Sequence, residues 1–267
     1  MKLRCLPLLA ILALAPIAVV AQQTARVSSP PITTSNSATP AKTTGSLPFS
    51  GLAVGVKLGV NGIGFDVATP LVKQWINLRS GATFFSYSPS TITTNGLNIN
   101  GTLTLQNAAT VVDFFPFHGR FRISAGMTTY NNNHLTATMN VPSKQSFTLG
   151  NTTYYSDPTN VSPLTGNGLF TLGGKTAPRL TIGTGNMLPK KGRLTFQSEL
   201  GVDFISVPTV TMNFSGIACQ TLTGSVYSNC GAVATTDVQA EQTKLQNDLN
   251  DLHYYPVISF GLAYRIH

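Results

Sequence analysis

From Gly51 onward the chain consists of short segments in which apolar side chains alternate with small or charged ones. Successive side chains of a β-strand point to opposite faces, so a period of two predicts strands. The segment 193–203 places apolar residues on one face, namely Leu194, Phe196, Leu200 and Val202. Its other face carries Arg193, Thr195, Gln197, Glu199 and Asp203. Any fold for this chain must give these two faces different surroundings.

The same pattern recurs along the chain and predicts eight strands, near residues 52–60, 62–70, 75–88, 102–114, 120–131, 175–186, 193–207 and 254–266. Three connections at one end are short: Pro70–Gln74, Phe115–Gly119 and Met187–Gly192. The other end has three long loops, 89–101, 132–174 and 208–253, and a tight Asn61-Gly62 turn suited to a hairpin. Residues 51–70 could instead form one long strand, which would make the count odd.

Two folds could separate an apolar face from a polar one. In a soluble sandwich the apolar face is the core, whereas in a membrane barrel it contacts lipid and the polar face lines a lumen. Charged residues make up only 10% of the chain, against roughly a quarter in soluble domains. The composition therefore favours an all-β fold, an eight-stranded antiparallel up-and-down transmembrane β-barrel with long external loops and one short loop helix. Its even strand number brings both ends to the same side of the membrane, as in bacterial outer-membrane barrels.

The N-terminus predicts export. Lys2 and Arg4 precede an apolar run that ends at Val19-Val20-Ala21, the pattern of a cleaved signal peptide over residues 1–21. A retained membrane anchor is the alternative, although the run is short and contains two prolines. Residues 22–50 are rich in Ser, Thr and Pro and predict a flexible leader. Residues 51–267 would then form the barrel, located in the outer membrane of a Gram-negative-type bacterium.

Alternation also predicts which charges face the lumen: Lys57, Asp66, Arg79, Asp113, Arg122, Arg179, Glu199, Asp203 and Arg265. An eight-stranded barrel is just wide enough for its own side chains, and unpaired charge there is costly. These residues should therefore pair across the interior as a structural network. A narrow, gated channel lined by the same residues is the alternative.

Two cysteines follow the predicted signal peptide, Cys219 and Cys230. In an oxidising compartment such a pair predicts a disulfide that closes a loop.

No cluster of His and Cys predicts a metal site, and no spacing predicts a cofactor site or a catalytic nucleophile with its base. His134 and His253, near loop hydroxyls, are the weak candidates for lipid-directed catalysis. The basic residues are dispersed along the chain, which argues against nucleic-acid binding.

The longest loop predicts a helix over residues 236–252. Thr236 and Gln239 have the spacing of a capping box, and Val238, Leu245, Leu249 and Leu252 share one face. The helix could bind a partner or pack on the rim of the barrel.

Aromatic residues near strand ends predict a girdle at the membrane interface: Trp75, Phe84, Phe85, Tyr87, Phe114, Phe115, Phe117, Tyr254 and Tyr255.

The C-terminal segment from Tyr254 to Ile266 resembles the closing strand of outer-membrane barrels. In those proteins such a strand is the signal read by the barrel-assembly machinery, and the corresponding residues here are Gly261, Leu262, Tyr264 and Ile266. Ile266 occupies a position that is usually aromatic. The segments 113–126, 177–186, 200–204 and 254–257 resemble a family of small predicted outer-membrane proteins of the OmpA-like size class. The resemblance implies a small barrel and implies little about activity.

The leading functional expectation is a non-enzymatic structural or surface-interaction role. The expected partners are outer-membrane lipid, the assembly machinery, and an extracellular ligand bound through loops 132–174 and 208–253. A narrow pore for small solutes and a lipid-directed enzyme are the alternatives.

Overall fold

The computed structural model describes residues 49–89, 91–94 and 97–266. The predicted signal peptide, 1–21, and all but the last two residues of the predicted leader, 22–50, lie outside the described residues. No helix in the described part is long and apolar enough to cross a membrane. The elements in chain order are β1 (Ala53–Gly59), β2 (Gly62–Val72), β3 (Ile76–Tyr87), β4 (Ile92–Thr94), β5 (Leu97–Phe114), β6 (Phe121–Asn131), β7 (His134–Val141), β8 (Ser146–Leu149), β9 (Thr152–Ser156), β10 (Leu164–Thr171), β11 (Ala177–Thr184), β12 (Leu194–Phe204), β13 (Thr209–Ser215), β14 (Ala218–Thr223), β15 (Val226–Gly231), α1 (Thr235–Leu249) and β16 (Tyr254–Arg265).

Eight antiparallel strands form a closed ring, which consists of β1, β2, β3, β5, β6, β11, β12 and β16. Each ring strand pairs with the next ring strand along the chain, and β16 pairs with β1. These are the eight strands that alternation predicts, and the all-β prediction is confirmed. Residues 51–70 form a hairpin rather than one strand, since β1 and β2 pair from Gly59 and Gly62 outward. Gly62 has a φ of +93°, a conformation that glycine adopts without steric cost.

The two ends of the ring differ. At one end, here called the turn end, residues 73–75, 115–120 and 185–193 connect neighbouring strands. The other end carries the β1–β2 turn and the three long connections. Ala53 and Arg265, the first and last ring residues, pair with each other at the turn end.

The prediction that 89–101, 132–174 and 208–253 are loops is wrong. These connections contain β4 and the start of β5, then β7 to β10, and finally β13 to β15 with α1. Strands β7, β10 and β13 continue the ring sheet outward from β5, while β8, β9, β14 and β15 form a second sheet. We call β4, β7–β10, β13–β15 and α1 together the extension. Its strands are rich in Thr, Ser and Asn, and Ser and Asn are also typical of turns and loops.

The extension has its own hydrophobic core. The buried members are Val141, Phe147, Leu149, Tyr154, Leu164 and Ala218, with Met139, Phe214 and Val238 packed against them. The hydroxyl of Tyr154 donates a hydrogen bond to Asp237 of α1 at 2.6 Å. Burial, together with this bond, raises the pKa of Tyr154. The core therefore joins both sheets and the helix into one folded unit.

The helix differs in detail from its prediction. It runs from Thr235 to Leu249, and its N-cap is Ala234 without a side-chain capping bond, so the predicted Thr236–Gln239 capping box is wrong. Val238 packs on the extension core, and Gln246 donates a hydrogen bond to the Pro208 carbonyl at 2.7 Å. The helix thus packs against the extension rather than on the rim of the ring.

The disulfide between Cys219 and Cys230 is present. The two cysteines are directly opposite each other in the β14–β15 hairpin. The bond therefore ties together two neighbouring strands of the extension.

Candidate functional site: the charged interior of the ring

A connected set of ion pairs lies in the ring interior. Lys57 contacts Asp66 at 2.7 Å, and Asp66 lies 3.7 Å from Arg79. Arg79 also contacts Asp113 at 2.9 Å and Glu199 at 2.8 Å, using both edges of its guanidinium. This chain of contacts crosses the ring, because Arg79 and Glu199 belong to strands that are not neighbours.

Arg122 joins the same set from β6. Its guanidinium lies 3.4 Å from Glu199 and 3.9 Å from Asp113. It also donates to the carbonyl oxygens of Thr184 and Gly185, at 3.0 and 2.6 Å. Arg122 is almost completely buried, so these partners replace part of the water that a guanidinium would otherwise bind, while its Nε has no hydrogen-bond partner among the described residues.

The other three predicted residues stand apart. Arg179 and Asp203 form a two-point contact at 2.6 and 2.7 Å, and neither has an ion pair to the larger set among the described residues. Arg265 lies near the turn end and donates to the Pro189 carbonyl at 2.6 Å. Of the nine residues predicted to face the lumen, six thus form one network, two form a separate pair, and one binds backbone at the mouth.

Neutral hydroxyls complete the network and were not predicted. Ser124 donates to Asp113 at 2.6 Å, and Thr181 donates to Glu199 at 2.6 Å. Both residues occupy inward positions by alternation, so the pattern could have identified them. Gly81 also faces inward, and a Cβ at this position would collide with the Asp66 carboxylate. The absence of a side chain there lets Asp66 reach Lys57 and Arg79.

The outer face of the ring is apolar and exposed. Its large side chains include Val54, Val56, Leu58, Ile63, Phe65, Val67, Phe84, Ile123, Met127, Leu180, Ile182, Phe196, Leu200, Ile258, Phe260 and Leu262. Charges are therefore buried and apolar residues exposed, the reverse of a soluble sandwich, whose apolar faces form the core. The soluble alternative from the sequence does not fit this arrangement.

Aromatic side chains gather at the turn end. The ring of Trp75 contacts that of His118 with centroids 3.8 Å apart and lies 6.1 Å from Phe114. Phe117 and Phe121 lie close by on the next connection and strand, with their own centroids 6.1 Å apart. Phe115, also predicted for the girdle, is instead fully buried, because it points into the ring rather than outward.

The residues of the predicted assembly signal lie on or beside β16. Leu262 and Tyr264 point outward and are exposed, whereas Gly261 faces inward opposite Lys57. Ile266 follows the strand, and its amide donates to the Leu52 carbonyl at 2.8 Å. Their role in assembly stays a prediction.

The comparisons with known proteins give a fold. The chain is similar to the crystal structure of CarO from Acinetobacter baumannii, with a TM-score of 0.50 and 21% identity over 82% of this chain and 97% of that one. It is similar to Acinetobacter baumannii CarO2 with the same TM-score and 16% identity, over 82% and 98% of the two chains. A major outer membrane protein from Thermus thermophilus matches with a TM-score of 0.37 and 12% identity, over 80% and 99%, which is too weak to support an argument.

No protein-family model and no curated protein matches the chain. The resemblance to small outer-membrane proteins is therefore supported at the level of fold, and the OmpA-like size class stays a prediction. The chain shares its overall fold with the two CarO structures.

Proposed function

We propose that the ring is a β-barrel in the outer membrane, that its lumen is closed, and that it displays the extension at the cell surface as an interaction domain. The observation that carries the proposal is the inverted burial of the ring, with ion pairs inside and large apolar side chains outside. In lipid every backbone polar group must be bonded within the protein, and a closed ring meets that requirement. The cleaved signal peptide and the leader belong to the same proposal.

The network supports a closed lumen. Arg79 contacts acids contributed by β2, β5 and β12, so its side chain spans the interior. An open pore would leave such charges hydrated and separate, whereas here they are paired and buried. The structural role of the network is thus favoured over the alternative of a pore.

The extension supports the surface role. A chain that needed only to cross the membrane would not require two further sheet regions, a helix and a disulfide. Segments 132–174 and 208–253 form most of this unit and would contact an extracellular ligand. The proposed role is not enzymatic, and the proposed partners in assembly are lipid and the barrel-assembly machinery, which would read Gly261, Leu262, Tyr264 and Ile266.

The orientation can be tested with a short epitope inserted at one of two glycines. Gly224 lies at the tip of the β14–β15 hairpin and Gly192 in a turn-end connection, and a Cβ at either meets no atom within 4 Å. Both should tolerate insertion. We expect antibody to bind intact cells carrying the Gly224 insertion, and to bind the Gly192 insertion only after the outer membrane is permeabilised. The opposite pattern would overturn the orientation. If neither protein fractionated with the membrane, the proposal itself would be overturned.

The closed lumen can be tested by conductance across a planar bilayer. We expect the refolded protein to give no single-channel steps above those of protein-free detergent, because ion pairs occupy the path. Heat-modifiable mobility in detergent gels would verify that the sample is folded. Reproducible steps of one size from the folded protein would favour the narrow pore and contradict the closed lumen.

A further inference from the structure

An apolar groove runs along the outer wall of β11 and β12 near the turn end. Its floor contains two small residues, Thr184 and Ser198, whose hydroxyls bond to each other at 2.9 Å. Because one hydroxyl donates to the other, the pair presents less hydrogen-bonding capacity to a lipid tail than two separate hydroxyls would. The groove has a volume of about 320 Å3, and larger side chains form its walls: Phe121, Ile182, Leu200, Ile258 and Phe260.

A basic cleft of about 360 Å3 lies at the end of this groove. Thr184 borders both spaces, so the cleft and the groove are adjacent. The cleft is lined by His118, Arg120, Lys190 and Lys191, with Asn186 and Thr195 as neutral hydrogen-bonding groups. The three cationic side chains are exposed.

The positive charge of the cleft is not offset by acids. The chain has nine acidic residues, all within the described ranges. Asp66, Asp113, Glu199 and Asp203 are paired inside the ring, and the other five lie in the extension or just after its helix, at Asp157, Asp237, Glu241, Asp248 and Asp251. Among the described residues, the turn end therefore carries exposed cations without exposed Asp or Glu side chains.

We propose that the cleft and the groove together bind one anionic phospholipid of the periplasmic leaflet. Arg120, Lys190 and Lys191 would contact the phosphate, and one acyl chain would lie along the groove. The nearby Trp75 and His118 are at the level where amphipathic rings contact lipid headgroups. The inference rests on the proposed membrane location and orientation. It adds the class of lipid that binds and the part of the ring that binds it.

Trp75 is the only tryptophan in the chain, and its ring contacts His118 of the cleft. Its fluorescence can therefore report which lipid occupies the cleft. The protein would be reconstituted in phosphatidylcholine bilayers containing phosphatidylglycerol, with bromine placed on the acyl chains of one lipid or the other. The ratio of the quenching by brominated phosphatidylglycerol to the quenching by brominated phosphatidylcholine gives the relative affinity of the two lipids for the site around Trp75.

We expect phosphatidylglycerol to bind preferentially to the unchanged protein. Each cation near an anionic surface strengthens binding roughly fivefold, so the triple variant Arg120→Gln, Lys190→Gln, Lys191→Gln should lose at least about tenfold in relative affinity. A matched control instead removes three exposed cations that lie away from the turn end: Lys144→Gln, Lys175→Gln and Lys244→Gln. This control has the same net charge and should keep the preference.

The groove is tested by filling it. Ser198→Phe should weaken the preference, whereas Thr110→Phe should not. Thr110 is the matched control because it bonds to Ser80 at 2.9 Å in an equivalent exposed pair of hydroxyls between neighbouring strands. No preference in the unchanged protein, or equal losses in the two triple variants, would overturn the proposal. Equal effects of the two Phe variants would overturn the part played by the groove.

The membrane location is checked in the same samples. Heat-modifiable mobility and co-flotation with vesicles report insertion independently of lipid preference. An inserted protein with no preference contradicts only the lipid site, whereas a protein that does not insert contradicts the proposed function.

Discussion

Replacing Arg79 with methionine is expected to lower the free energy of unfolding by about 3–5 kcal/mol. The change keeps a long side chain but leaves Asp113 and Glu199 buried with only Arg122, at 3.9 and 3.4 Å, as a shared cation. The loss should be this large because the two carboxylates cannot regain water in the closed interior. Urea unfolding in lipid vesicles, followed by the fluorescence of Trp75, measures it.

The control for this variant is Lys244→Met. Lys244 lies 3.6 Å from Glu241 on the surface of α1, and its side chain is 67% exposed. Exposed pairs of this kind contribute about 0.5 kcal/mol or less. If Arg79→Met cost no more than Lys244→Met, the interior network would not stabilise the ring.

The second large effect is expected on the outer face. Val56 lies in the middle of β1, opposite Phe65 and Leu262, and is 64% exposed. If this face contacts lipid, Val56→Arg should cost about 2–4 kcal/mol, the penalty for a cation near the middle of the bilayer. The same urea measurement in vesicles applies.

Val226 provides the matched comparison, because it is 67% exposed but lies in the β14–β15 hairpin of the extension. An arginine there would remain in water, so the cost should stay within about 0.5 kcal/mol. A soluble protein should tolerate both substitutions equally. Equal small costs for Val56→Arg and Val226→Arg would therefore contradict the membrane assignment.

The ring could be predicted from the sequence because its two faces differ strongly in chemistry. Large apolar residues such as Phe65 and Ile182 point outward, while charges such as Asp66 and Arg179 point inward, so the period of two is visible. Alternation does not give the ion-pair partners. Arg79 lies directly opposite Val111 in β5, yet it pairs with Asp113, two residues further along, and with Glu199, which lies across the ring.

The extension could not be predicted in the same way. β9 has the sequence TTYYS, in which Tyr154 is the side chain that packs into the core. Its strand character depends on pairing with β8, its hairpin neighbour, and with β14, which is distant in the sequence. Thr and Ser residues fit both strands and loops, so these residues alone do not distinguish the strands of the extension from the loops that the sequence predicts.

The strands of the extension come from three separate connections of the ring, and β5 belongs to both parts. Residues Asn98–Thr104 of β5 pair with β7, and residues from Asn107 onward pair with β6. β10 from one connection pairs with β7 from the same connection and with β13 from another. A graft that replaced 132–174 or 208–253 alone would remove strands that pair with strands of another connection. Variation of this surface between relatives should thus occur as exchange of the whole unit, with single-loop chimaeras failing to fold.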